Sequence, residues 1–172
     1  MKRAQHILIT GAPGAGKTTL FRRLVDELRN LNPVGFCTAE IRKGGTRQGF
    51  RLCGLNGRTA ILAHVGFRTG FRVGKYGVDV SGLEAFLNGL SLMDPHIGPV
   101  MIDEIGRMEC LSDRFTETIR DILISEKQLI ATIALKGGGL IAELKKRSDV
   151  QLLTLIRGNQ DDLFKKICSL LQ

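Results

Sequence analysis

Two short stretches of this chain combine glycine, lysine, hydroxyl and carboxylate side chains at spacings that suit chemistry. The first runs from Gly11 to Thr18 and fits the pattern G-x-x-x-x-G-K-[ST] between an apolar run and a helical pattern. Its glycines let the backbone wrap closely around a polyphosphate, and the positive end of the following helix faces the same anion. Lys17 can reach the β- and γ-phosphates, and the Thr18 hydroxyl can bind Mg²⁺. The residues predicted to hold the phosphates are Gly11, Ala12, Pro13, Gly14, Ala15, Gly16, Lys17, Thr18 and Thr19.

The second stretch is an apolar run that ends in two adjacent carboxylates, Asp103 and Glu104. A strand of this kind delivers a carboxylate to a phosphate-bound Mg²⁺, usually through a water molecule. We therefore predict that Thr18 and Asp103 hold the metal. A carboxylate directly after the metal residue polarises an attacking water in many hydrolases. Lys17 and Glu104 are thus the predicted catalytic residues.

Other side chains are candidates for the same site. Glu109 is a further carboxylate close to this pair. If the strand that ends near residue 134 lies beside the first strand, Thr132 or Lys136 would face the γ-phosphate as a sensor. A cation could also stabilise the transition state, as an arginine finger does. The sequence leaves three candidates for that role open: Arg42, Arg47 and Lys75.

The elements around these residues predict an α/β fold. Buried parallel strands are expected at 7–9, 99–102, 128–134 and 150–156, with helices at 20–28, 83–92, 112–126 and 159–171. Three strand-like segments at 34–41, 49–55 and 58–64, joined by tight-turn signals, predict an antiparallel β-hairpin excursion after the first helix. The glycine- and arginine-rich segment 66–77 is expected to be a loop near the site. Ligands of such mostly parallel sheets bind at the carboxyl ends of the strands.

Length and composition predict one globular domain that covers residues 1–172. Hydrophobic residues make up 43% of the chain and charged residues 24%, which are ordinary globular values. There is no apolar run of about 18 residues, so no membrane span is expected. The first predicted strand starts near the N-terminus and leaves no room for a signal peptide, which suggests a cytoplasmic protein. The four widely spaced cysteines are expected to be reduced.

Positive charge is concentrated in one part of the chain. The net charge is +8, and residues 41–78 contain no Asp or Glu. This basic block, 42–75, is a candidate surface for an anion: the bound nucleotide, a phosphorylated second substrate or RNA. A solvated basic face is the alternative. The basic residues of the block are Arg42, Lys43, Arg47, Arg51, Arg58, Arg68, Arg72 and Lys75.

Longer motifs give the chain a family resemblance. Besides the loop at 11–18, it carries GFCTAEIR at 35–42, GGTRQGF at 44–50, VGKYGVD at 73–79 and DEIGRME at 103–109, with Asn159 near the end. In these residues the chain resembles the THEP-type nucleoside-triphosphatases, called cancer-related nucleoside-triphosphatase in animals. The resemblance covers essentially the whole chain in order and spacing. Ala39 and Arg107 depart from it, since family members often have an acidic residue and a lysine there.

The resemblance implies a P-loop NTPase fold with a RecA-like sheet. It also implies Mg²⁺-dependent hydrolysis of the terminal phosphate of several nucleoside triphosphates (ATP, GTP, CTP and UTP), with slow turnover. Asn159 or its neighbours would touch the base. A second nucleotide-binding stretch is implied around residues 100–107. Its members are Val100, Met101, Ile102, Asp103, Glu104, Ile105, Gly106 and Arg107.

Three functions therefore stand side by side. The first is a monomeric hydrolase of nucleoside triphosphates with Mg²⁺ as cofactor. The second is a nucleotide or nucleoside kinase, in which the basic block 42–75 clamps an acceptor phosphate and segment 136–147 acts as a lid. Hydrolysis would then be leakage to water. The third is a nucleotide-dependent RNA-binding or regulatory module that uses the basic block, although no RNA-binding motif supports it.

Overall fold

The computed structural model describes residues 6–171, and within this range the strands form one nine-stranded sheet. The strands are β1 (His6–Thr10), β2 (Val34–Lys43), β3 (Thr46–Gly54), β4 (Thr59–His64), β5 (Arg72–Val73), β6 (Tyr76–Val78), β7 (Val100–Ile105), β8 (Leu129–Ile133) and β9 (Val150–Thr154). The helices are α1 (Lys17–Glu27), α2 (Val80–Asn88), α3 (Asp113–Ile124), α4 (Leu140–Lys145) and α5 (Gln160–Leu170). Short 3₁₀ turns cover Arg29–Leu31 and Glu109–Leu111. None of the helices in this range is long and apolar enough to cross a membrane.

The strand order is β5-β6-β4-β3-β2-β7-β8-β1-β9, and it divides the sheet into two halves. All neighbours from β9 to β2 are parallel, and all neighbours from β2 to β5 are antiparallel. Numbered along the chain, the parallel strands have the order 5-1-4-3-2, which confirms the predicted RecA-like sheet. Strand β2 belongs to both halves, whereas the sequence pattern suggested only a hairpin strand. The excursion therefore widens the central sheet.

Each face of the sheet is covered by its own set of helices. Ile7 and Ile9 of β1 pack with α1 and α5, while Leu8 between them packs with α2, α3 and α4. This alternation follows from the two-residue period of a strand, and it makes both faces of the parallel half apolar. The same period places Met101 of β7 and Ile130 of β8 on the α1 face. The residues two positions further along these strands are Asp103 and Thr132.

Local capping decides where the helices begin. The Asp79 carboxylate accepts a 2.9 Å hydrogen bond from the Gly82 amide, so α2 begins at Val80 and not at the predicted residue 83. It ends at Asn88, before Gly89, several residues earlier than predicted. The Ser112 hydroxyl accepts a 3.0 Å bond from the Phe115 amide and starts α3 where expected.

The predicted loop at 66–77 is partly wrong. It contains β5 and the beginning of β6, which pair with each other and join the edge of the sheet through β4. The glycines and arginines of this segment signalled turns, but two short pieces of strand fit between the turns. As a result, Val73 is held in a fixed place at the end of the antiparallel half.

Candidate active site

The glycine-rich loop lies between β1 and α1 at the carboxyl edge of the sheet. Gly16, with φ 100°, occupies the left-handed region that suits glycine and immediately precedes α1. No side chain caps this helix and its first turn holds no acidic residue, so its amides are available to an anion. The Lys17 ammonium donates to the carbonyls of Gly11 (2.9 Å) and Ala12 (3.3 Å), which folds it over the loop.

The segment after β9 braces this loop. The Gln160 side chain donates a 3.1 Å hydrogen bond to the Gly16 carbonyl, and the Leu155 amide donates a 2.7 Å bond to the Thr10 carbonyl. Asn159 shapes the same segment, because its carboxamide accepts from the Ile156 amide (2.9 Å) and donates to the Thr154 carbonyl (3.0 Å). Its side chain thus holds the shape of the segment that braces the glycine-rich loop. Contact of Asn159 with a base, which the family resemblance implies, stays a prediction.

Asp103 is buried beside the glycine-rich loop. Its Oδ1 accepts a 2.5 Å hydrogen bond from the Thr132 hydroxyl, and the Thr18 hydroxyl also hydrogen-bonds this carboxyl group. Burial raises the pKa of Asp103 above its ordinary value, and these two hydrogen bonds and the Lys17 charge offset part of the rise. Thr132 therefore lies behind Asp103 and acts on it, instead of facing the cavity as the sensor considered from the sequence.

Glu104 and Glu109 meet at Gly106. A methyl group on Gly106 would lie 3.2 Å from Glu104 Oε1 and 3.0 Å from Glu109 Oε2. Burial raises the pKa of Glu104, which keeps partial exposure to the cavity. Glu109 is buried, and the Gly106 amide donates a 3.1 Å hydrogen bond to its Oε2. Complete burial raises the pKa of Glu109 to about 8, so this carboxyl group is mostly protonated at neutral pH.

The pairing of β7 explains why two adjacent carboxylates end up in different surroundings. The register between β7 and β8 shifts between Ile102 and Ile105, which marks an irregularity at Asp103 and Glu104. Irregularities of this kind redirect side chains beside active sites. Asp103 therefore sits against Thr18 and Thr132, while Glu104 sits against Gly106 and Glu109.

One cavity of about 940 Å³ brings the two predicted stretches together. Lys17, Thr18, Asp103 and Glu104 all line it. The other predicted residues along its wall are Gly11, Pro13, Gly14, Gly16, Thr19, Gly106 and Arg107. Ala12 and Ala15 belong to the loop but lie off the wall. Another four predicted residues are buried in the core, where they position the carboxylates: Val100, Met101, Ile102 and Ile105.

The structure separates the candidate cations. Arg47 and Lys136 line the cavity. Arg42 lies off its wall and pairs with Glu40 (2.7 Å), and Lys75 lies 5.5 Å from the centre of the Tyr76 ring. The loop that carries Lys136 is fixed from behind, because the Lys145 ammonium donates to the carbonyls of Ala134 (2.6 Å) and Leu135 (2.7 Å).

Several residues of the cavity were not predicted as site residues. They come from β2 to β5 and from the loop after β7: Thr38, Glu40, Phe50, Leu62, Val73 and Met108. Glu40 is the last acidic residue before the basic block. This position was the sequence signal that could have identified it as a site residue. The Thr38 hydroxyl is buried without a hydrogen-bond partner among the described residues. A buried polar atom without a partner, at the wall of a cavity, fits a site that receives a ligand or water.

The donor set fits Mg²⁺. Thr18 and Asp103 offer hydroxyl and carboxylate oxygens, the hard ligands that Mg²⁺ prefers, beside the glycine-rich loop where the phosphates would bind. Among residues 6–171 no cluster of three or more His, Cys, Asp or Glu side chains could hold a metal by itself. The chain therefore offers the few protein ligands that are typical of a metal bound together with a nucleotide.

The chain is similar to known proteins in both sequence and fold. A sequence model of the family described as NTPase matches residues 6–168. The chain is 40% identical over 167 residues to the nucleoside-triphosphatase THEP1 of Thermotoga sp. (strain RQ2), covering 96% of this chain and 95% of that protein. It is 35% identical to the human cancer-related nucleoside-triphosphatase over 98% of this chain and 97% of that protein. The crystal structure of THEP1 from Aquifex aeolicus superposes with a TM-score of 0.82 at 32% identity, covering 97% and 99% of the two chains.

Proposed function

Because this chain belongs to the NTPase family, and is therefore an enzyme that hydrolyses nucleoside triphosphates, we propose that it removes the γ-phosphate in a Mg²⁺-dependent reaction. One observation carries the proposal: Lys17, Thr18, Asp103 and Glu104 line the same cavity at the carboxyl edge of the sheet. Phosphoryl transfer to water requires these groups: a cation for the phosphates, a hydroxyl and a carboxylate for the metal, and a second carboxylate for the attacking water.

Each of these residues has a separate task in the mechanism that we propose. The amides at the start of α1 bind the phosphate oxygens, and Lys17 leaves its carbonyl partners in the loop to contact the β- and γ-phosphates. Thr18 and Asp103 hold Mg²⁺, which neutralises phosphate charge when it is bound. Glu104 orients a water molecule in line with the bond that breaks and accepts its proton. Lys136 and Arg47 face the γ-phosphate and offset the negative charge on it in the transition state.

Broad base specificity and slow turnover are part of the same proposal. The contacts above involve phosphate groups, which ATP, GTP, CTP and UTP share, and this supports a site that does not select the base. Arg47 is already paired with the Glu40 carboxylate. Arg47 must break this ion pair before it can contact the phosphate in the transition state, and this supports slow hydrolysis.

We extend the proposal to the chain as a whole. A single sheet runs through the described residues, which supports one domain over residues 1–172, and we propose that this domain works as a monomer. Four free cysteines suit a reducing compartment such as the cytoplasm.

For the exposed basic block 42–75 we propose attraction of the anionic nucleotide and not a nucleic-acid site. The value of kcat/KM should therefore fall with increasing ionic strength.

The test is release of phosphate from ATP, GTP, CTP and UTP, each with Mg²⁺ or with excess chelator. We expect similar slow release from all four with Mg²⁺ and none with chelator. Lys17→Ala and Glu104→Gln should each lower kcat at least 100-fold. The matched control is Lys165→Ala, which removes an exposed lysine on α5 and should leave kcat unchanged.

Two results would contradict parts of this proposal. Release by Glu104→Gln within threefold of the unsubstituted protein would remove Glu104 from its role as the base. A preference of more than tenfold for one nucleotide would mean that the site reads the base.

A further inference from the structure

The active-site cavity extends well beyond the residues that hydrolysis needs. Next to β7, which carries Glu104, the sheet continues through β2, β3 and β4. The cavity follows it, because Phe50 of β3 and Leu62 of β4 form part of its wall. Strands lie about 4.8 Å apart, so the third strand from β7 is roughly 14 Å away. This far part, which we call the distal chamber, is lined by Glu40, Arg47, Phe50, Leu62, Val73 and Met108.

A nucleoside triphosphate on the glycine-rich loop would leave the distal chamber empty. Its γ-phosphate is the group nearest Asp103 and Glu104, and the nucleoside is attached at the opposite end of the phosphate chain. The nucleoside must therefore point away from β2, β3 and β4. An attacking water molecule needs only the space beside Glu104. Neither reactant of hydrolysis fills the distal chamber, and Arg47 is the residue of its wall that also serves hydrolysis.

The walls of the distal chamber suit a small molecule with a flat apolar body and polar groups. Phe50, Val73 and Met108 present apolar surface, with the buried Leu62 at the same wall, and such walls with a few polar groups are typical of ligand sites. At one side Glu40 and Arg47 form an ion pair, and the Arg47 guanidinium lies 5.4 Å from the centre of the Phe50 ring. A carboxylate can accept hydrogen bonds from hydroxyl or amino groups, and a guanidinium can donate to oxygens.

The outer end of this region is positively charged. Val73 and Arg107 also line a neighbouring cavity of about 450 Å³, whose wall includes Arg72. Arg72 and Arg107 are both exposed. Two cations beside an apolar chamber would accommodate a ligand that carries a phosphate group as well as one that carries a free hydroxyl.

We propose that the distal chamber binds a second substrate, a nucleoside or nucleoside monophosphate, and that the enzyme transfers the γ-phosphate to it. The inference rests on the function proposed above, because it uses the same triphosphate and the same Glu104. An oxygen of the acceptor attacks the γ-phosphorus and forms the new P–O bond. The bond between the γ-phosphorus and the bridging oxygen breaks, and its electron pair leaves with the nucleoside diphosphate. A hydroxyl acceptor gives its proton to Glu104, whereas a phosphate acceptor is already ionised.

The experiment follows the fate of the γ-phosphate by ³¹P NMR. The full-length protein is mixed with Mg²⁺ and ATP, and with one of two panels: adenosine, guanosine, cytidine, uridine and thymidine, or their 5′-monophosphates. We expect one panel to contain an acceptor that gives a new phosphorylated product and consumes ATP at least tenfold faster than water does. Phosphate on a former hydroxyl identifies a nucleoside acceptor, and a new diphosphate identifies a monophosphate acceptor.

Variants connect the transfer to the chamber. Val73→Trp fills it and should lower the ratio of transferred to released phosphate at least tenfold, and Met108→Trp is a second filling variant in case the first does not fold. The matched control is Ile61→Trp, because Ile61 is 41% exposed on β4 next to Leu62 and lies off the cavity wall. It should leave the ratio unchanged.

The possible failures are distinguishable. Phosphate release without transfer to any member of either panel overturns the second-substrate site and leaves the hydrolase in place. Transfer that persists in both filling variants also overturns it. Transfer without release to water would overturn the proposed hydrolysis and retain the inference. Saturation-transfer NMR adds a readout that is independent of turnover, since the accepted molecule should bind the unsubstituted protein in the presence of a non-hydrolysable ATP analogue.

Discussion

The Thr132 hydroxyl donates a 2.5 Å hydrogen bond to Oδ1 of Asp103, and this bond joins the carboxyl ends of β8 and β7. Both side chains are buried, and the Thr18 hydroxyl contacts the same carboxyl group. Asp103 is thereby held in one orientation next to the glycine-rich loop. Thr132 touches neither phosphate nor water in the proposed mechanism, so we regard it as a positioning residue for the metal ligand.

Replacing this hydroxyl should weaken the metal site. In Thr132→Val, Asp103 loses a hydrogen bond to its charged form, which is worth about 1.5–3 kcal/mol. We expect the Mg²⁺ concentration for half-maximal activity to rise about tenfold or more, with a smaller effect on kcat at saturating Mg²⁺. Thr132→Ser keeps the hydroxyl and should restore most of the affinity. An unchanged Mg²⁺ dependence in Thr132→Val would show that Asp103 does not depend on this bond.

Lys136 and Lys75 should differ in their effect on turnover. Lys136 lines the cavity on a loop that Lys145 holds in place, whereas Lys75 lies over the Tyr76 ring away from the wall. We expect Lys136→Ala to lower kcat about tenfold because a cation facing the γ-phosphate is lost, and Lys75→Ala to leave kcat within twofold. Steady-state phosphate release at saturating ATP measures both. Equal kcat values for the two variants would remove Lys136 from the site.

Glu109 should make the protein less stable at alkaline pH. Its pKa is about 8 in the folded chain and is near 4.5 when exposed, so the folded state binds more protons between these values. The contribution of Glu109 to stability is therefore greatest below pH 4.5. It falls as the pH rises and is lowest above pH 8. Glu109→Gln keeps a neutral group at the Gly106 amide and removes this dependence.

Thermal unfolding in chelator at pH 6 and at pH 9 tests the role of Glu109. We expect the free energy of unfolding of the variant, relative to that of the unsubstituted protein, to be about 2.5 kcal/mol higher at pH 9 than at pH 6, or roughly 5–10 °C in Tm. A difference in Tm that is the same at both pH values would mean that Glu109 does not titrate in this range.

Gly35 should tolerate no side chain. Its φ is 140°, and a methyl group there would lie 1.8 Å from the Met101 carbonyl oxygen, at the parallel contact of β2 with β7. We expect Gly35→Ala to destabilise the fold by at least about 3 kcal/mol, because β2 must move away from the strand that carries Asp103. Denaturant unfolding measures the loss. The control is Gly70→Ala, with open space around its Cβ, which should cost less than about 1 kcal/mol.

The fold was largely predictable because its signals are local. Apolar runs of strand length and helical spacing of apolar residues are properties of short segments, and both kinds of pattern recur in the parallel half. The end of α2 was missed because the apolar pattern continues to Leu92, whereas the helix ends at Asn88. Strand β5 was missed because a strand of two residues gives no periodic signal and is stable only beside β6.

The sequence by itself determined the chemistry at the phosphate end: the G-x-x-x-x-G-K-[ST] loop and the carboxylates after an apolar strand specify which groups can meet a triphosphate and Mg²⁺. Only the tertiary structure decided which residues complete the site. Arg47 and Lys136 reach the cavity, while Arg42 and Lys75 do not, although all four look alike in the sequence. The physical reason is that strand pairing brings residues from β2 to β5 next to β7 across long stretches of chain. No local pattern encodes that proximity, and the distal chamber depends on it entirely.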